Sequence, residues 1–333
     1  MRTLRVLFVL MILAPSAFAA EPIPRVSPIR PVSTYSIVAR DAETGELGVA
    51  VQSHWFSVGA LVPWAQAGVG AVATQSMVEA SYGPKGLSLM AEGHDAVSVL
   101  STLLEQDEHA DIRQVAMIDA RGSAAVHTGG RCIPEAGHYL GQGYSVQANL
   151  MGPATVPDAM AKAFEKTSGP LAERMVAALA AAQAEGGDIR GRQSAAILVV
   201  RAKSTGQPWN DRLVDLRVED HPEPIKELQR LLKLHRGYEQ MNAGDLAVEK
   251  GDLDGAEKAY AQAEYILGDN LEARYWHAVA MVNAGAVDRA LPIFADIFTR
   301  GDNWRELTPR LVGSGFLQAD EETLAEIMAA GEN

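Results

Sequence analysis

Thr34 is the residue with the most chemistry open to it. It stands first in TYSIVAR (34–40), a strand-like run that follows directly on AEPIPRVSPIRPVS (20–33), which carries four prolines and no apolar period. A threonine with a free α-amino group holds its own general base, because that amine has a pKa of about 8 and lies within reach of the hydroxyl. The condition is a cleavage between Ser33 and Thr34. Without it, position alone reads Thr34 as a β-branched residue opening a strand.

If Thr34 is a nucleophile, its helpers belong on polar residues at neighbouring strand ends. His54 ends the second strand-like run, Gln75 ends a later one, and Asn149 follows Tyr144–Gln147 with an amide able to donate to a tetrahedral oxyanion. Arg192, Gln193 and Ser194 precede the apolar AAILVV run (195–200), in a loop from which Arg192 could hold a substrate carboxylate through paired hydrogen bonds. Each of these also has a plain structural use, satisfying loop carbonyls or capping a turn.

Other constellations find no support. There is no G-x-S-x-G, no H-E-x-x-H, no calcium-loop signature and no glycine-rich phosphate loop at a strand-to-helix junction. The histidines show no metal-ligand spacing. Asp211, Asp215, Asp220 and His221 could be a hard-cation set, but Asp215 alternates with apolar residues and reads better as a solvated strand face. No metal and no cofactor are expected. The lone cysteine, Cys132, excludes an intrachain disulfide framework and reads as a small buried apolar residue.

The elements that must position these residues are legible in outline. TYSIVAR and Leu47–Ser53, joined across Glu43-Thr44-Gly45, predict a hairpin; further strands are expected at 69–74, 115–118, 124–127, 144–147, 195–200 and 213–219. Ala96, Val97, Leu100, Leu103 and Leu104 share a helical face, as do Leu171, Met175, Val176 and Leu179. Strand groups separated by helix pairs favour an α+β chain with two antiparallel sheets layered between helices over a doubly wound parallel sheet.

Residues 1–19 read as a signal peptide: Arg2 and Arg5, the apolar run Val6–Leu13, Pro15-Ser16 and the small-x-small site Ala17-Phe18-Ala19, with cleavage before Ala20. The expected location is the periplasm or outside the cell. The net charge of -13 disfavours nucleic acid and anionic lipid as partners, and nothing after the signal predicts a membrane span.

After His221-Pro222 the pattern becomes helical to residue 333. Gly251, Ala256 and Tyr260 recur as Gly285, Ala290 and Phe294, a repeat of 34 residues. Gly would end one helix, Ala would let the next approach, and the aromatic would fill the space between them. These positions resemble the second half of a tetratricopeptide repeat, although Arg274 and His277 stand where Trp and Leu are usual; a plain helical hairpin is the equal alternative. Trp276 and Trp304 read as core fillers. The expected division is a linker over 20–33, a main domain over 34–222 and a helical region over 223–333.

Longer strings point to a family. Thr34–Asp41 with Thr44–Val51, Val62-Pro-Trp64, Ala67–Gln75, Ser81–Gly86, Gly191–Ala195 and Val214–Arg217 resemble the domain of unknown function 1028 family, placed with the N-terminal-nucleophile (Ntn) hydrolases. The resemblance spans about residues 34–235 and implies a four-layer αββα sandwich. In cytoplasmic members the matching threonine directly follows the initiator methionine; here residues 20–33 would remain in front of it after signal cleavage. The expected function is therefore hydrolysis of a small amide or peptide-like bond by Thr34, possible only after a second cleavage. The alternative is a non-catalytic binding or scaffold protein that meets protein partners through its helical region, and a homo-oligomer is compatible with either.

Overall fold

The computed structural model describes Val32 and residues 34–332; the expected signal peptide and most of the proline-rich linker lie outside the described residues. The first hairpin forms as its alternation predicts: β1 (Thr34–Arg40) pairs antiparallel with β2 (Leu47–Ser53). β3 (Pro63–Gln66), β4 (Gly70–Ser76), β5 (Arg113–Asp119) and β6 (Ala124–Thr128) follow, with α1 (Tyr82–Ala91) and α2 (Ala96–Glu105) between β4 and β5. Then come β7 (Gly137–Gly141), β8 (Tyr144–Ala148), α3 (Val156–Lys166), α4 (Leu171–Ala184), β9 (Ser194–Val200) and β10 (Arg212–Val218). β3 and β7 are short, and their residues carry no alternation long enough to announce them.

The strands make two antiparallel sheets, one six-stranded in the order β10-β9-β2-β1-β8-β7 and one four-stranded in the order β3-β4-β5-β6. Residue alternation sorts each strand onto two faces. In β1, Tyr35, Ile37 and Ala39 join a core with α3 and α4, while Val38 joins an inter-sheet core with Val49, Val51, Ala73, Ala116 and Leu198. The outer face of the smaller sheet packs Val72, Val115 and Met117 against α1 and α2. The result is a four-layer αββα sandwich. β9 is buried along its whole length, as an apolar run covered on both faces must be, and β10 is a half-exposed edge strand.

One close approach depends on glycine. A Cβ on Gly83, in the first turn of α1, would lie 2.3 Å from the Trp64 indole, and Trp64 Nε1 is committed to the Leu61 carbonyl at 2.9 Å. Gly83→Ala is therefore expected to destabilise the fold by about 1–3 kcal/mol through forced repacking, readable as a shift of the urea midpoint with unchanged slope.

From Pro224 onward all regular structure is helical: α5 (Pro224–Glu249), α6 (Leu253–Leu267), α7 (Leu271–Asn283), α8 (Val287–Arg300), α9 (Asp302–Gly313) and α10 (Glu321–Ala329). The 26-residue α5 joins both halves of the chain. Its Ile225, Leu228 and Leu232 belong to the core under the six-stranded sheet, whereas Met241 packs with α6 and α7 residues. The repeat has a structural meaning at each position. Gly251 and Gly285 adopt φ of 74° and 79° just past the ends of α5 and α7, and Ala256, Tyr260, Ala290 and Phe294 are buried. Trp276 and Trp304 sit partly buried among apolar neighbours.

Candidate functional site

At one end of the sandwich the inter-sheet layer turns from apolar to polar. The register places Thr34 beside Ser53 and Ser53 beside Ser194, so β1, β2 and β9 present a row of three hydroxyls toward the other sheet. Across from them stand Gln75 on β4 and Gln114 on β5, which are register partners of each other. All five are buried.

Hydrogen bonds join this layer into one network. Thr34 Oγ1 donates to the Val32 carbonyl at 2.7 Å and lies 3.3 Å from Ser53 Oγ. Ser36 Oγ donates to Gln75 Oε1 at 2.6 Å and accepts from Gln147 Nε2 at 2.5 Å. Gln75 Nε2 donates to Gln114 Oε1 at 2.7 Å, and Asn149 Nδ2 donates to the same oxygen at 2.9 Å. Three donors converge on the Thr34 carbonyl: the Asn149 amide N–H at 3.1 Å, Gln75 Nε2 at 3.3 Å and Asn149 Nδ2 at 3.4 Å. A buried network so nearly satisfied holds its members in fixed orientations. Asn149 Oδ1 is buried and accepts from no protein group.

Two of the four non-glycine residues at positive φ among the described residues lie here. Ser76, which ends β4, has φ of 71°, and Leu150, directly after Asn149, has φ of 57°. Both lie in the left-handed region that residues with a Cβ rarely adopt. Ser76 also pairs with Val32, in an isolated antiparallel bridge just ahead of β1. In the unbroken chain the nitrogen of Thr34 is thus a peptide nitrogen.

The seven residues singled out in the sequence separate into two groups. Thr34, Gln75 and Asn149 meet in the network, and Ser194 stands in the hydroxyl row, where it donates to the Trp55 carbonyl at 2.5 Å and accepts from the Val58 N–H at 3.1 Å. The other three lie apart from it. His54 is exposed and its backbone N–H donates to Asp188 at 3.1 Å, Arg192 pairs with Glu223 at 2.6 Å, and Gln193 donates to Asp220 at 3.2 Å. Near them, on the outer face of the six-stranded sheet, Tyr35 donates to Gln183 at 3.1 Å. Burial pushes the Tyr35 phenol well up, the Asp188 charge adds to that, and Arg192 opposes it.

Ser36, Ser53, Gln114 and Gln147 did not stand out in the sequence. The available signal is a polar residue at an inward position of a strand buried on both faces, visible only once two strands are known to face each other.

The neighbouring end of the smaller sheet is pinned by an ion pair. Arg113, the register partner of Ser76, donates to Met77 O at 2.5 Å and to Asp107 at 2.8 Å. It also lines a cleft of about 560 Å³ with Tyr82, Lys85 and His109. Burial would raise the Asp107 carboxyl, but hydrogen bonds and charge from Arg113 and a hydrogen bond from the His109 backbone N–H overcome it and hold the group below the usual carboxylate range. A depressed folded value means the stabilisation is complete above the unfolded pKa and is lost as pH falls through the folded one. Arg113→Ala is expected to cost about 3 kcal/mol at pH 7 by stranding a part-buried carboxylate. It should also flatten the fall in stability below pH ~4, which urea titrations at pH 7 and pH 3 would show.

Cys132, expected to be buried, is only half-buried; its thiol donates to the Arg113 carbonyl at 3.3 Å, and burial pushes its pKa up. Asp211 is occupied by Ser204 and Thr205 of its own loop. Among the described residues no cluster of His, Cys, Asp or Glu could hold a metal ion, and no helix is long and apolar enough to cross a membrane.

Comparison with known proteins agrees with this architecture. The profile of a family of unknown function, DUF1028, matches residues 34–228. The crystal structure of a Silicibacter pomeroyi protein assigned to the same family is similar, with 30% sequence identity and a TM-score of 0.54 over 60% of this chain and 85% of that one. No protein of curated function matches.

Proposed function

The chain belongs to the family of unknown function DUF1028, and from that premise we propose that it is an exported amide hydrolase of the N-terminal-nucleophile kind, with Thr34 as nucleophile. The observation that carries the reading is the convergence on Thr34: a buried hydroxyl at the first residue of β1, with the Asn149 and Gln75 amides directed at the same residue.

The nucleophile must first be released. In this reading Thr34 Oγ attacks the Ser33 carbonyl carbon, the C–N bond breaks as its nitrogen takes a proton, and an ester forms. Water then hydrolyses the ester, leaving a Ser33 carboxylate on the departing segment and a free amine on Thr34. The same cycle acts on substrate: the amine takes the hydroxyl proton, the hydroxyl attacks an amide carbonyl, and water clears the acyl group. In this reading Asn149 Nδ2 and Gln75 Nε2, bonded in the unbroken chain to the Thr34 carbonyl and to Gln114, turn from those partners to stabilise the oxyanion. Arg192, tied to Glu223 in the resting chain, would orient the substrate only after leaving that partner.

A second reading rests on Val32. If residues up to Ser33 stay attached, the amine is blocked and the sandwich is a scaffold whose helical region meets partners through exposed side chains such as Tyr265 and Phe316. Intact mass of the mature protein separates the two: a chain beginning at Thr34 supports hydrolysis, and one beginning at Ala20 supports the scaffold.

A further inference from the structure

Val32 is fully buried and joins the same inter-sheet apolar core as Val58, Val62, Ala73 and Val78. Its backbone is held as a strand residue would be. Val32 N donates to the Ser76 carbonyl at 2.7 Å, and the Ser76 N–H returns a bond to the Val32 carbonyl at 3.1 Å. That carbonyl also accepts from the Thr34 hydroxyl at 2.7 Å. A residue from a proline-rich leader has no need of this placement for the sake of β1, which is already paired on both edges by β2 and β8.

We infer that the Val32 position is the acyl-side subsite of the enzyme, and that the substrate is an extended peptide or peptide-like chain with an aliphatic side chain one residue before the attacked carbonyl. The inference rests on the proposed function. When the bond after Ser33 breaks, the departing segment leaves empty the place its own Val32 filled, and a substrate attacked by the same hydroxyl must run through that place in the same direction. Two features set what it accepts. The Val32 side chain is buried in an apolar core, where a charged side chain would be desolvated. Ser76, buried and fixed at a positive φ, turns one N–H and one C=O toward the Val32 position in antiparallel register, which selects for a backbone able to pair with both, as in β-strand addition. A small amide without a preceding peptide unit fills neither.

The test uses the mature protein and synthetic hexapeptides with the sequence of Pro28–Ser33 and a free terminal carboxylate. Calorimetry is expected to show binding of the natural peptide. Asp in place of Val32, or N-methylation at the Val32 nitrogen, should each weaken it on the order of tenfold or more. Equal binding of all three peptides, or binding of none, overturns the subsite. Mass analysis of the same sample keeps the two failures apart: a retained leader removes the hydrolase reading and this inference with it, while a free Thr34 that does not discriminate among the peptides removes the subsite alone.

Discussion

Thr34→Ala is expected to leave the bond after Ser33 intact and to reduce amide hydrolysis by at least about 10³-fold, to background. The size of the effect follows from the dual use of one side chain. In the proposed mechanism the hydroxyl is the attacking group in self-cleavage and again in turnover, and the amine that serves as its base exists only after the first event. The variant should still fold. It loses one hydrogen bond to Val32 O and a longer one to Ser53, which costs about 1–2 kcal/mol, well inside the margin of a domain this size. Thr34→Ser keeps the hydroxyl and is expected to retain cleavage and part of the activity. Unchanged turnover by folded Thr34→Ala protein against a peptide-amide panel would remove Thr34 from the chemistry.

Asn149→Ala should lower kcat by about 10²–10³-fold with a much smaller change in KM, the signature of a donor used in the transition state. Its Nδ2 is one of two side-chain donors at Thr34, and its backbone N–H, which the substitution keeps, holds the strand end in register through the Thr34 carbonyl. The substitution also removes the Nδ2 bond to Gln114 Oε1, so a urea unfolding curve of the variant accompanies the kinetics. Gln75→Ala is a poorer probe, because Gln75 also ties Ser36 to Gln114 and its removal opens the network between the sheets. If Asn149→Ala raised KM and left kcat alone, Asn149 would be a substrate-binding residue and the oxyanion role would pass elsewhere.

Much of the architecture was open to reading because the strands that matter are long and alternate. β1, β2, β8 and β10 follow their apolar period, and β9 is continuously apolar because both its faces are covered. β3 and β7 were not legible: β3 has only four residues, and β7, though as long as β8, reads GHYLG, with glycine at both ends and no apolar alternation. The site was legible at its centre and not at its margins. Thr34 and Asn149 stand where a strand begins and ends, which punctuation in the sequence marks. Ser36, Gln114 and Gln147 lie inside strands, and only the pairing of two sheets brings them together. Arg192 and His54 show the reverse: loop residues of suitable chemistry that the register sends away from Thr34, one toward Glu223 and the other toward solvent.

The strain at Ser76 and Leu150 fits the same account. Two residues with side chains at positive φ, one bridging Val32 and the other following Asn149, are costs that a purely structural sandwich would have little reason to keep beside a fully buried threonine. They fix the places where the leader docks and where the Asn149 amide points.

The central claim is the release of the Thr34 amine, and intact-mass spectrometry with N-terminal sequencing of the mature protein measures it most directly. The account predicts a chain that begins at Thr34. A mature chain that begins at Ala20, with Val32 still bridged to Ser76 and the nitrogen of Thr34 still acylated, would contradict it.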